Sequence, residues 1–116
     1  MPNAYKTERF ARRWKSFSFM EQVGHIGIEV ARARHWDERN RVHYRDSSLE
    51  CVLQLVDLTL RFESKPGRLY EMGIFRNVIQ DILDGTRQYG CSLESLERFC
   101  MPFAIIARTR ETAEAA

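Results

Sequence analysis

Residues Val42 to Phe62 carry two apolar stripes where a helix at the edge of a globule needs one. Set at about 100° per residue, one stripe runs Val42, Leu49, Val52, Leu53, Val56 and Leu60, and the other Tyr44, Cys51, Leu55, Leu58 and Phe62. A helix with two apolar faces is enclosed by neighbours on two sides. This segment is therefore expected to be the central helix, with the rest of the chain arranged around it.

The flanking segments read as helices too. Ser18 followed by Glu21 has the S-x-x-E spacing of a capping box and starts a helix over about Phe19–Trp36. Its core stripe is Phe19, Val23, Ile26, Val30 and Ala33, beside a stripe of Met20, Gly24, Gly27 and Ala31. A glycine inside a helix costs roughly 1 kcal/mol relative to alanine, so Gly24 and Gly27 mark a close helix–helix contact. The polar run Asp37–Arg41 turns the chain into the central helix. Pro66-Gly67 suits a type II turn, and a third long helix follows over about Arg68–Leu83, stopped by Gly85. Ser92 caps a fourth, with Leu93, Leu96, Phe99, Cys100, Phe103 and Ile106 on one side and Pro102 placed to kink or split it. Ahead of all these lies a basic segment, Ala4–Trp14, with Tyr5, Phe10 and Trp14 as its apolar anchors.

No strand alternation and no repeat interrupts the pattern. The fold class is all-α: an up-and-down four-helix bundle with a short N-terminal helix or arm. The expected organisation is a basic arm over residues 1–17, a bundle over 18–108 and a frayed tail over 109–116. A chain of 116 residues supports one core without disulfides or metals. No apolar run reaches a membrane span, and no apolar segment near the N-terminus reads as a secretory signal. Three cysteines with no CxxC pair are expected to be reduced thiols, which points to the cytoplasm.

The chemistry-bearing residues do not fall into a catalytic or metal-binding pattern, and no cofactor is implied. Glu21, His25 and Glu29 lie four apart, but such a row is usually a solvated ladder of i,i+4 pairs. Carboxylate-bridged di-iron bundles require Glu-x-x-His, which this sequence lacks. Cys91 and Cys100 have no histidine near them in sequence. No nucleophile elbow, P-loop or dinucleotide fingerprint is present. Helical ribonucleases of the HEPN family use Arg-x(4–6)-His on one helix; the intervals from Arg39, Arg41 and Arg34 to His43 are three, one and eight residues and miss it.

Two constellations remain. Arginine outnumbers lysine 15 to 3, and Arg32, Arg34, Arg39, Arg41 and Arg45 gather at one helix end among His35, Trp36, His43 and Tyr44. Guanidinium groups fix phosphates and aromatic rings stack on bases, which makes this corner a candidate nucleic-acid surface. A net charge of only +2 favours a charged helical hairpin in water instead. On the third helix Arg76 borders the apolar arc and needs a carboxylate there; Asp57 is the preferred partner, with Glu29 or Asp81 as further members. This group reads as a register-setting ion pair, or as an anion pocket with Gly24 and Gly27.

Several runs also resemble a family. Gly24-His25-Ile26-Gly27-Ile28-Glu29-Val30-Ala31-Arg32-Ala33 with Trp36, Leu55-Val56-Asp57-Leu58-Thr59-Leu60, Gly67-Arg68-Leu69, and Arg76 with Asp81 before Leu83-Asp84-Gly85 resemble a family of small prokaryotic helical-bundle proteins of unknown function. The likeness covers about Ser18–Gly90. It implies a cytoplasmic helical bundle and no activity. The expected function is therefore that of a non-enzymatic bundle acting through protein–protein interaction. Self-association as a dimer is favoured, because the second stripe of the central helix must be covered by the arm, by the fourth helix or by another chain. RNA or DNA binding through the Arg32–Arg45 corner and the basic N-terminal arm is the alternative.

Overall fold

The structure is a computed structural model that describes residues 7–115, with side chains described for 7–110. Within them lie five helices and no strand: α1 Glu8–Ser16, α2 Phe19–Glu38, α3 Val42–Phe62, α4 Pro66–Asp84 and α5 Leu93–Ala115. The N-terminal stretch of the arm, including Tyr5, lies outside the described residues.

The local signals act largely as the sequence predicts. Ser18 Oγ accepts from Glu21 N at 3.1 Å and Glu21 Oε1 accepts from Ser18 N at 3.0 Å, completing the capping box. α2 ends in a Schellman motif: Asn40 takes φ +56°, Arg41 N–H reaches Trp36 O at 2.9 Å, and Asn40 N–H reaches Asp37 O at 3.1 Å. Asparagine tolerates that left-handed conformation. Gly85, at φ +75°, stops α4.

Two local expectations are corrected. Pro66 and Gly67 do not form a type II turn, because Pro66 is the first residue of α4. Proline suits that position, where its missing N–H would have no helical partner. Pro102 does not split the last helix; α5 is continuous through it and on to Ala115, beyond the expected start of a frayed tail. The proline leaves only the Arg98 carbonyl without its helical donor.

α2 packs between α3 and α5, and α3 touches α2, α4 and α1. The core is built from Val23, Ile26 and Val30 of α2, Leu49, Val52 and Val56 of α3, Met72 and Ile79 of α4, and Leu96 and Cys100 of α5. The central-helix reading of Val42–Phe62 holds, since members of both stripes are buried, Leu49, Val52 and Val56 from one and Cys51 and Leu55 from the other. At the helix start Val42 and Tyr44 are exposed.

The cover on the second stripe is α1. Thr7 caps it, its Oγ1 accepting from Phe10 N at 3.1 Å. Trp14 is buried against the core, and its Nε1–H donates to Thr59 Oγ1 of α3 at 3.0 Å. Gln22 Nε2 of α2 donates to the Trp14 carbonyl at 2.9 Å. A buried indole N–H and a buried amide each need a partner, so these two bonds fix where α1 lies.

Candidate functional site

Gly24 and Gly27 sit where the sequence places them, at a close helix contact, and the facing helix is α5. A Cβ on Gly27 would lie 2.7 Å from Cys100 Cβ, and one on Gly24 would lie 3.1 Å from Ala104 Cα. The backbones approach only because both side chains are hydrogen. Outside this contact a shallow groove of about 190 Å³ runs along the α2–α5 seam, edged by Ile28, Ala31 and Met101.

The polar group expected around Arg76 is not one cluster. Arg76 Nε donates to Asp57 Oδ1 at 2.6 Å, so the preferred pair forms between α4 and α3. It is not buried: the side chains are 36% and 52% exposed. The arginine stem follows the apolar border and its head reaches water, as long cationic side chains do. The hydrogen bond to Asp57 raises the Arg76 pKa above its already high ordinary value. Glu29 is buried but bonds Arg32 Nη1 at 2.8 Å. Asp81 is buried and organises the α4–α5 loop, accepting from Thr86 Oγ1, from Gln88 N at 2.9 Å and from Tyr89 N at 3.2 Å. The Thr86 hydroxyl leads these bonds in holding the Asp81 carboxyl below the usual aspartate range. An anion pocket joining Gly24, Gly27, Asp57 and Arg76 is therefore overturned, because the glycines face α5 while the ion pair bridges α3 and α4 at the surface.

The arginine corner is largely neutralised from within. Arg45, only 16% exposed, is held by Asp37 at 2.9 Å and Asp46 at 3.0 Å. Burial alone would lower its pKa, but the hydrogen bonds to the two carboxylates outweigh it and the net shift is upward. Arg34 lies 3.2 Å from Glu97 of α5 and 3.8 Å from Glu38. Arg32 is on Glu29, and Arg39 donates to the His35 carbonyl at 3.1 Å. Arg41 is exposed. The rings of Trp36 and Tyr44 pack on each other with centroids 5.0 Å apart.

A different basic surface has no such neutralisation. Arg9, Arg12 and Arg13 lie on the outer face of α1, all exposed, and none makes an ion pair among the described residues. Beside them, between α1, α2 and α3, opens a cleft of about 240 Å³. Phe10, Trp14 and Phe17 form its α1 side, His25 and Glu29 its α2 side, and Arg13 also lines it. The Phe17 and His25 rings are 5.2 Å apart and the Trp14 and His25 rings 6.0 Å. The solvated ladder expected at Glu21, His25 and Glu29 holds in part: His25 is exposed and Glu21 half-buried, but Glu29 is buried. Glu21 closes the capping box, and the exposed His25 ring leans on the ring of Phe17, the residue that ends α1. The sequence signal for the cleft was Trp14, an indole in a short basic helix that needs both a hydrophobic seat and a hydrogen-bond acceptor.

Burial raises the Cys51 pKa, and burial with the Glu97 charge pushes Cys100 up to about 12. Both are held as thiols and are poor nucleophiles. Among the described residues, no group of three or more His, Cys, Asp and Glu is placed to hold a metal ion. No helix among the described residues is long and apolar enough to cross a membrane. Comparison of the chain with protein-family models, with curated proteins and with solved structures finds no match.

Proposed function

We propose that this chain is a non-enzymatic helical-bundle protein of the cytoplasm that acts through protein–protein interaction, in the first place with a second copy of itself. The second stripe of α3, which first suggested a partner chain, has its cover in α1. The observation that carries the reading is instead the outer surface of α5. Met101 to Ala107 is seven residues without a charge, and within it Met101 is 51% and Ile105 58% exposed. A helix that is apolar around its circumference is normally enclosed. Ile28 of α2, exposed beside Met101 across the shallow groove, extends the patch.

The charges flanking this patch suit an antiparallel copy. Glu94 and Arg108 are each seven residues from Met101 (101 − 94 and 108 − 101), two turns away on the same side of the helix. A two-fold axis at Met101 sets each Glu94, which bonds Arg98 of its own helix at 3.1 Å at the exposed surface, opposite the other copy's Arg108, the self-complementary arrangement of an isologous dimer. The three free cysteines fit a reducing compartment.

Light scattering coupled to gel filtration tests it. The expected mass is twice the 13.7 kDa of the chain, falling to one chain mass in Met101→Glu/Ile105→Glu with helix content unchanged. A single-chain mass for the wild type at high micromolar concentration overturns self-association.

A further inference from the structure

The cleft under α1 is independent of the α5 surface, and its chemistry points elsewhere. Its accessible rings are those of Phe10, Phe17 and His25, packed around the buried Trp14; Ile28, Leu55 and the buried carboxylate Glu29 complete the lining, and Arg13 edges it from the exposed face of α1. Arg9, four residues before Arg13, carries the positive charge along the same side of α1, and Arg12 is the neighbour of Arg9 on its other flank. At about 240 Å³ the cavity falls just below the size that holds drug-like ligands and has room for a single ring system.

We propose that this cleft binds one nucleotide unit, with the base among the rings and the phosphate on the α1 arginines. Each part of the site meets one part of that ligand. Aromatic faces stack on a base whatever its sequence. A carboxylate accepts from more than one donor, so Glu29, already bonded to Arg32 at 2.8 Å, accepts an exocyclic amine as glutamate does from cytosine N4 and favours cytosine over thymine. Guanidinium groups that no internal carboxylate occupies take the phosphate. The arginine corner at the other end of α2 fails on this last count, because Asp37, Asp46, Glu29 and Glu97 already hold three of its five arginines. An anionic bilayer is the less suitable partner, because the apolar side of α1 is packed into the core and offers no wedge to insert.

The unit is either a free nucleotide or part of a single strand, and the experiment separates them. Binding of a labelled ten-residue oligo-dC to the full chain is followed by fluorescence polarisation at low salt, and of CMP by Trp14 fluorescence in a Trp36→Phe background. The expected result is saturable binding of at least one, weakened about tenfold or more by Arg9→Gln/Arg12→Gln/Arg13→Gln and less than about twofold by Arg39→Gln/Arg41→Gln. For the strand, each phosphate that the α1 arginines neutralise adds about −0.7 to the log–log salt slope. Glu29→Gln is expected to abolish the preference for oligo-dC over oligo-dT. Phe17→Ala, which leaves the Glu29–Arg32 pair in place, is expected to weaken both oligonucleotides alike. CMP binding as tight as the strand assigns the free nucleotide; strand binding with CMP at least tenfold weaker assigns the strand. The proposal is overturned if neither probe binds, if the Arg39/Arg41 variant loses as much as the α1 variant, or if phosphatidylserine vesicles bind through α1 while both nucleotide probes fail. A monomeric α5 variant that still binds the probe separates this site from the self-association surface.

Discussion

α5 is fastened on its two sides by opposite means. Toward α2 the contact is made by removing side chains: Gly24 and Gly27 let the α5 backbone come within van der Waals reach at Ala104 and Cys100. Toward α4 the backbones stay apart, and the gap is filled by rings. Phe75 of α4 meets Phe99 of α5 at 5.7 Å between centroids, backed by Phe103 of the same helix at 5.5 Å; Phe103 in turn reaches round to Phe19, at the start of α2, at 5.8 Å. The two seams should therefore fail in opposite ways. The glycine seam has no room to gain an atom, and the phenylalanine seam has no packing to spare.

The largest effect is expected at the ring seam. Phe75 is buried, and Phe75→Ala should cost about 3–5 kcal/mol, read from the midpoint of urea unfolding. A loss below about 1 kcal/mol would mean that the ring fills no gap. At the glycine seam, Gly27→Ala gains about 1 kcal/mol of helix propensity but forces a Cβ against Cys100, and overpacking costs about 1–3 kcal/mol. The expected net is a loss of about 1 kcal/mol. Gly73 supplies the contrast. It lies in α4 with nothing within 4 Å of where its Cβ would be, so Gly73→Ala should stabilise by about 1 kcal/mol. The two alanines would then differ in sign, and equal effects would remove the close-approach argument. Phe99, at 36% exposure, stands at the rim of the ring seam, and Phe99→Ala should cost about 1 kcal/mol, well short of a fully buried ring.

This contrast was half legible beforehand. The glycines announced a close contact because they are costly inside a helix, although nothing in their spacing said which helix would face them. The spacing also placed Phe99 and Phe103 on the inner side of α5, but the wider α4–α5 separation that their size demands is a property of two helices together. The same holds for the misplaced features. Arg76 reads as buried on a helical wheel because a wheel records the Cα direction and not the reach of a long side chain. Arg34 reads as part of a basic corner because its partner Glu97 is 63 residues away in the chain (97 − 34). Both stripes of α3 were visible, yet the choice among three possible covers required knowing that Trp14 finds Thr59. In the row Glu21, His25, Glu29 only Glu29 leaves solvent, because α1, a short helix that the bundle pattern does not require, lies beside that end of the row.

The loop joining the two seams carries an acid-sensitive anchor. Asp81, near the end of α4, accepts the Thr86 hydroxyl and the Gln88 and Tyr89 amides, so the loop into α5 is hung on one carboxylate. Its folded pKa lies below the ordinary value of 3.8. A carboxyl with a depressed folded pKa contributes stability that is fully present above its unfolded pKa and is lost as pH falls through the folded one. Between pH 5 and pH 2 the wild type should therefore lose stability at Asp81, and Asp81→Asn should show a shallower loss while starting from a lower value at pH 7. Parallel acid limbs for the two proteins, measured by urea unfolding, would show that the loop is held by packing alone.

The smallest effect is expected where α4 meets α3. Asp57–Arg76 is the shortest ion pair in the described structure at 2.6 Å, and length invites the inference that it clamps the two helices. Exposure argues otherwise: both side chains are more than a third exposed, so solvent screens the pair and the ordering of a long side chain offsets part of the gain. The coupling between Asp57→Asn and Arg76→Gln in a double-mutant cycle should be about 0–1 kcal/mol and should shrink in molar salt. A coupling of 3 kcal/mol or more would be the signature of a buried pair. The α3–α4 seam would then be fastened by charge, a third means beside close backbone approach and ring packing. With the smaller value, Met72, Val56 and Ile79 in the core hold α4, and the ion pair sets only the register at which they meet.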